Sequence, residues 1–456
     1  MKINLLVKQF IFSIIGYMLL VWYASTYTGI QYSSEIKILV NSFLPFSLIY
    51  IYVSYKKGDK LFYPFTMISV LYFLLYILSP ITFILINETD CHGDAVMGGC
   101  SYGTFLAILS YFALSIGYVK IKNVPLKKVL FDTFCLKWQT YLFMLFFWFV
   151  GAFSCIYYIN HTGVSLMQIL SNQSSEALVL ENGGDTNIKF LASFAYFMIF
   201  PVAFLFAFSK KKWLIYPLIF ATFILFYVRG TRIFIVILVL SLLILHVRLT
   251  NKNINKKYVI LGIVGMLCLF SFMGSNRKSV KSGENVEYKI DITDFLGMLS
   301  TNFDIYKPYY GLVNNCPEKF SYTLGHGLFV ESIASLIPRA LWKDKNTGVS
   351  MAEAFEKTTG PGPASAAMSW PNIAEYYMDF GIIGICVLSY VFGMLLSKSI
   401  NLLNCGIKHK IILYSLLFPT FFQLIIRGYT PINFTMYICL LFPYYVAKKM
   451  NLLNLK

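Results

Sequence analysis

WLIYPLIFATFILFYVRGTRIFIVILVLSLLILHVR, Trp213 to Arg248, holds two apolar runs at about 213–228 and 233–247, joined by Arg229-Gly230-Thr231-Arg232. Each run approaches the roughly 17–25 residues with which a helix crosses the hydrocarbon of a bilayer. Between Lys212 and Arg248 the only charged side chains are Arg229 and Arg232. Only a helix satisfies every backbone N–H and C=O of such a run in lipid. The stretch therefore reads as a membrane hairpin that turns on two arginines.

The same pattern recurs outward in both directions. Apolar blocks fall at about 9–28, 36–53, 62–86, 102–119, 138–159, 188–208, 213–228, 233–247, 258–274, 380–397, 411–426 and 431–447. Trp22, Tyr23, Trp138 and Trp213 sit at block ends, as interfacial aromatic belts do. The 456-residue chain is 57% hydrophobic, 18% aromatic and 13% charged, with mean hydropathy +0.65. Soluble domains carry roughly a quarter charged residues, so a water-soluble globule is excluded. The expected fold is an all-α polytopic membrane protein of about twelve transmembrane helices. It divides into helices one to nine (1–274), a large outer loop with short helices (275–380), and helices ten to twelve (381–456). Lys2 and Lys8 precede the first run, which shows no small-residue cleavage site and reads as an uncleaved helix.

Charge placement orients the bundle. With the N-terminus cytoplasmic, inside connections hold 23 of the 38 Lys and Arg, short outside connections hold 5, and 275–380 holds 10. Of the 21 acids only Asp59 and Asp132 fall inside. This is the positive-inside asymmetry, and it accounts for the net charge of +17 without a nucleic-acid partner. Both termini are expected in the cytoplasm, with the long loop outside.

The outer connections hold the candidate chemistry. Arg229 and Arg232 in RGTR, and Arg427 in RGYTPIN, are the arginines of the short outer turns. A guanidinium grips phosphate oxygens bidentately and keeps its charge. Glycine beside it lets the backbone approach closely. Two such turns can clamp a pyrophosphate beside the bilayer; alternatively the arginines snorkel to headgroups or pair with loop acids. Arg339, after Pro338 in IPRALW, either reaches the same site or finishes a surface helix. Glu375 in NIAEYYMDFG is placed to act as general base toward a sugar hydroxyl, or to pair with an arginine. His326 in LGHGLF is a second candidate base, against a structural role in a Gly-rich turn.

The loop segment FVESIASLIPRALWKD puts Phe329, Ile333, Leu336 and Ile337 on one helical face ended by Pro338, which suits a helix along the membrane surface. GVSMAEAFEKTT reads as a second short helix, and 166–170 as another. Cys91 and Cys100 flank a polar outer loop and form a candidate disulfide in an oxidising compartment, with two free thiols as the alternative. No C-x-x-C pair, Walker loop or metal-spaced His cluster occurs. Isolated charges within spans are almost missing, which argues against an ion-coupled transporter.

Together the topology, the arginines of RGTR and RGYTP, the long late loop and NIAEYYMDFGIIG resemble the O-antigen polymerase family over the full length of the chain. The resemblance implies a GT-C-like architecture in the bacterial inner membrane and a glycosyl transfer without metal, nucleotide sugar or other cofactor. The implied donor is a growing glycan on undecaprenyl pyrophosphate, and the acceptor is the terminal sugar of a repeat unit on a second carrier. Arg229, Arg232, Arg427 and Arg339 would bind pyrophosphate, Glu375 or His326 would take the hydroxyl proton, and a chain-length regulator would be a partner. The family's arginine followed by glycine sixteen residues on is not matched, since Leu245, Phe355 and Pro443 stand there. An O-antigen ligase shares this architecture, and a lipid-linked oligosaccharide flippase is a rival from another class.

Overall fold

The computed structural model describes residues 2–27, 29, 31–58, 62–85, 96–129, 137–161, 191–209, 213, 215–229, 232–250, 305–337, 341–342 and 370–453, and of residues 2–5, His161 and Arg232 the main chain only. Every regular element among them is helical. The chain opens with α1 (Lys2–Ala24) and α2 (Ser33–Lys57). Next, α3 (Pro64–Phe73) passes through a π turn at Leu74–Leu78 into α4 (Ser79–Leu85), forming one apolar span. The π turn has a local cause: Pro80 lacks an N–H and its ring crowds the carbonyl four residues back, at Tyr76, which opens the ladder.

α5 (Cys100–Lys120) and α6 (Trp138–His161) follow. A 3-10 turn at Ser193–Met198 leads into α7 (Ile199–Phe208). The arginine hairpin is α8 (Ile215–Arg229) and α9 (Arg232–Thr250), so both arginines of the expected four-residue connection are taken into the helices. α10 (Tyr306–Asn315), a π turn at His326–Glu331 and α11 (Ser332–Ser335) belong to the long loop. α12 (Asn372–Asn404), α13 (Lys408–Ile426) and α14 (Thr430–Lys449) complete the described chain.

Eight of these helices are long and apolar enough to cross a membrane. The sixth and seventh expected blocks form the shorter apolar helices Ser193–Phe208 and Ile215–Arg229, and the twelfth forms α14. The ninth block, 258–274, lies outside the described residues, as do 166–170 and GVSMAEAFEKTT. Phe12, Trp22 and Phe153 are about seven-tenths exposed. Apolar surface of that extent is unusual on a soluble monomer and is what a lipid-facing exterior requires.

The bundle is tightest where α5 crosses α12. A Cβ on Gly117 would come within 2.1 Å of the Tyr390 carbonyl oxygen, and one on Gly393 within 2.1 Å of that of Leu114. Small residues let helix backbones touch in a membrane, where burial of apolar surface from water gives no drive to associate. Beside this crossing Ser110 Oγ lies 2.7 Å from Ser389 Oγ and 2.9 Å from the Tyr72 hydroxyl, so the polar groups of the seam satisfy one another.

Polar contacts tie the helices together at both ends of the bundle. At one end Arg248 donates to the carbonyls of Leu403 (3.0 Å) and Lys127 (2.5 Å), Asn404 donates to Val124 (2.9 Å), and Lys57 donates to Ile121. At the other end α10 packs on α5, with the Tyr309 hydroxyl donating to the Gly103 carbonyl at 2.9 Å.

Among the described residues of the long loop, the expected helix over FVESIASLIP is a π turn running into the short α11. It ends at Ser335, not at Pro338, which lies outside the described residues. Leu336 and Ile337 donate three residues back, to Ile333 and Ala334, tightening the last turn as helix ends do. Phe329 and Ile333 point outward as expected, while Leu336 and Ile337 are half-buried.

Candidate functional site

Three segments meet around a group of buried carboxylates: the π turn at His326–Glu331, the start of α12, and the 427–430 turn between α13 and α14. Their meeting depends on glycines. Gly381 breaks α12 with φ 60° and ψ −145°, a backbone state close to one that only glycine adopts readily. The break leaves the carbonyls of Met378 and Asp379 to accept from the amides of Thr323 and Leu324, each at 3.0 Å. The loop thus docks on the end of the 372–380 segment. Gly428 plays the matching part in the turn. Its amide donates to the Trp370 carbonyl at 2.6 Å, and a Cβ there would meet the Asn372 amide at 2.1 Å. The expected close approach of glycine is therefore to the protein's own backbone.

Glu375 is fully buried. Its Oε1 and Oε2 accept from the Thr430 amide at 3.1 and 3.2 Å, and Oε2 also accepts from the Thr430 hydroxyl. Asp379, equally buried, accepts from the Leu328 amide at 3.1 Å, from the Thr323 hydroxyl, and from the amides of Gly325 and Gly327. It is the post around which the histidine loop wraps. Glu331 is 1% exposed. It accepts from the Tyr429 hydroxyl through Oε2, and its Oε1 lies 3.4 Å from His326 Nδ1. His326 itself is half exposed. The two candidate bases therefore belong to one cluster but stand differently: Glu375 is sealed and occupied, and His326 faces outward.

The arginines also differ. Arg427 caps α13 and is exposed at the mouth of the turn. Its amide donates to Gln423 at 2.7 Å and its carbonyl accepts from Asn433. Arg229 turns into the protein. It donates to the Ala192 carbonyl at 2.6 Å, and its guanidinium stacks on Phe234 and Tyr158 with 4.3 and 5.0 Å to the ring centres. The two turns nevertheless share an end of the bundle. α9 and α13 are antiparallel, with Ser241 donating to the Ser415 carbonyl at 2.8 Å and Arg248 reaching Leu403. The start of α9, at Arg232, therefore lies at the same end as the finish of α13.

Arg339 and Cys91 lie outside the described residues. Cys100 is a buried free thiol beside Thr104 and Tyr310. Cys316 is a free thiol whose pKa burial pushes up to about 11, which leaves it a poor nucleophile. No group of three or more metal-ligating side chains occurs among the described residues.

Glu331, Asp379, Tyr429 and Thr430 escaped the sequence reading, though all lie in quoted segments. Glu331 was hidden by helix arithmetic. Residues five apart sit well round an α-helix of roughly 3.6 residues per turn from one another. The π turn, bonded i to i+5, stacks them.

No curated protein and no solved structure matches the chain. A family model described as O-antigen polysaccharide polymerase Wzy matches residues 8–453, nearly the whole length. The chain thus belongs to the O-antigen polysaccharide polymerase Wzy family, and is a multi-pass membrane protein of O-antigen repeat-unit polymerisation.

Proposed function

We propose that the outer cluster transfers a growing glycan from a lipid pyrophosphate to a sugar hydroxyl of a second lipid-linked repeat unit. The observation that carries this reading is that one carboxylate, Glu331, touches both His326 and Tyr429 of the arginine turn. The candidate base is thereby tied to the segment that carries Arg427.

In this reading His326 Nε2 takes the proton of the acceptor hydroxyl. The oxygen attacks the anomeric carbon of the donor, and the bond from that carbon to the pyrophosphate oxygen breaks. The departing pyrophosphate keeps the electron pair, and Arg427, with Arg232 from the neighbouring turn, neutralises its developing charge. Arg229 braces that neighbouring turn from inside. Glu375 holds the Thr430 end of the RGYTP turn, so its part is to fix Arg427 in place. The site faces the periplasm and the chain uses undecaprenyl pyrophosphate carriers without a metal, as the family resemblance implies; a chain-length regulator would act from outside this cluster.

Substitution of Arg427 tests the reading. Arg427→Ala and Arg427→Lys are both expected to give single-repeat lipopolysaccharide with normal amounts of protein, because an ammonium lacks the planar fork. A normal ladder in Arg427→Ala would refute the pyrophosphate role. A cell lacking the whole protein should likewise carry single repeats on its core. Complete loss of O-antigen from the core would indicate the ligase reaction instead.

A further inference from the structure

We infer that Glu331 is a positioning residue that sets the tautomer of His326 and ties it to the arginine turn. The inference rests on His326 being the base. Glu331 Oε1 stands 3.4 Å from Nδ1 of the imidazole, and its Oε2 receives the Tyr429 hydroxyl. The carboxylate is 1% exposed while the histidine is half exposed. A sealed carboxylate facing Nδ1 holds the ring proton there, and Nε2 on the outward side keeps its lone pair for the acceptor hydroxyl. When Nε2 takes that proton the imidazole becomes cationic. The Glu331 carboxylate, facing Nδ1, stabilises that new charge.

The local fold serves this contact. In an ordinary α-helix the side chains at 326 and 331 would diverge. Here Gly325, at φ 85°, starts a π turn that brings them to one side. Asp379 anchors the backbone of that turn through the amides of Gly325, Gly327 and Leu328, which keeps its wide pitch. Tyr429, two residues from Arg427, then links the oriented histidine to the segment that carries the phosphate-binding arginine. Withdrawing that segment would disturb the base as well.

Purified protein in proteoliposomes, supplied with a lipid-linked single repeat unit, gives the test. Glu331→Gln keeps the shape and an oxygen for Tyr429, but turns an amide N–H toward the histidine. The expected result is a fall in kcat of about 100-fold or more, within the range of acid–base contributions, with KM little changed and the melting temperature retained. The double variant Glu331→Gln/His326→Ala should be no slower than His326→Ala alone, because groups that act as a unit are not additive. A wild-type kcat in Glu331→Gln, with His326→Ala inactive, would overturn the positioning role and leave His326 as the base. Multiplicative losses in the double variant would also overturn it. An active His326→Ala would remove the base assignment and this inference with it. If Glu331→Gln fails to insert, Glu331→Asp retains the charge but withdraws it from the ring. A fall in its kcat supports the role, and an unchanged kcat overturns it.

Discussion

Glu375 and Thr430 are joined through both main chain and side chain. The Thr430 amide donates to both oxygens of the fully buried carboxylate, at 3.1 and 3.2 Å, and the hydroxyl donates to one of them. Glu375 is at the start of α12 and Thr430 opens α14. Two segments far apart in the chain are thus locked together beside Arg427. Leaving buried donors without an acceptor costs roughly 1–3 kcal/mol. Glu375→Ala is expected to lower the melting temperature in detergent by several degrees and to abolish the ladder. Glu375→Gln, whose amide oxygen still accepts from Thr430, should retain most of the stability. Equal melting of Ala and Gln variants would show that the Thr430 contact is unimportant.

Gly381 holds a conformation that side chains resist, with the Tyr322 ring 3.1 Å from where a Cβ would sit. Gly381→Ala should destabilise by about 1–3 kcal/mol from backbone strain. Adding Tyr322→Ala should not restore the loss, because the strain is in the main chain. Full recovery in the double variant would place the fault in the ring contact instead.

The α5–α12 crossing depends on Gly117 and Gly393, each with a carbonyl oxygen 2.1 Å from a would-be Cβ. Gly393→Leu should prevent stable assembly of the bundle, read as rapid proteolysis and low yield in membranes. Wild-type protease resistance would contradict the close approach.

Arg248 secures the end of the bundle away from the carboxylate cluster, tying α9 to the Lys127 segment and to Leu403. Arg248→Ala should lower thermal stability, yet leave the polymerisation rate per folded molecule near that of the wild type. A selective loss of rate with unchanged melting would give this end a role the account does not foresee.

Much of the fold could be read from the chain because membrane burial imposes long apolar runs and an asymmetry of Lys and Arg. The RGTR hairpin follows from the apolar runs, and the close approach at the glycine of RGYTP follows from its lack of a side chain. The site was only half legible. Glu375, His326 and Arg427 could be singled out as charged or titratable groups at the outer boundary. That Glu375 is sealed by Thr430, and that Glu331 rather than Glu375 accompanies the histidine, depends on a π turn and a broken helix. Neither leaves a periodic signal. Nor does spacing reveal that Arg229 turns inward onto Phe234 and Tyr158, since RGTR reads the same whichever way its first arginine points.

The most direct measurement is extension of a lipid-linked repeat unit by purified His326→Ala protein in proteoliposomes, beside the wild type. The account predicts at least about a 100-fold slower extension, with unchanged melting and partial recovery on adding imidazole. Ladders formed at the wild-type rate would contradict it.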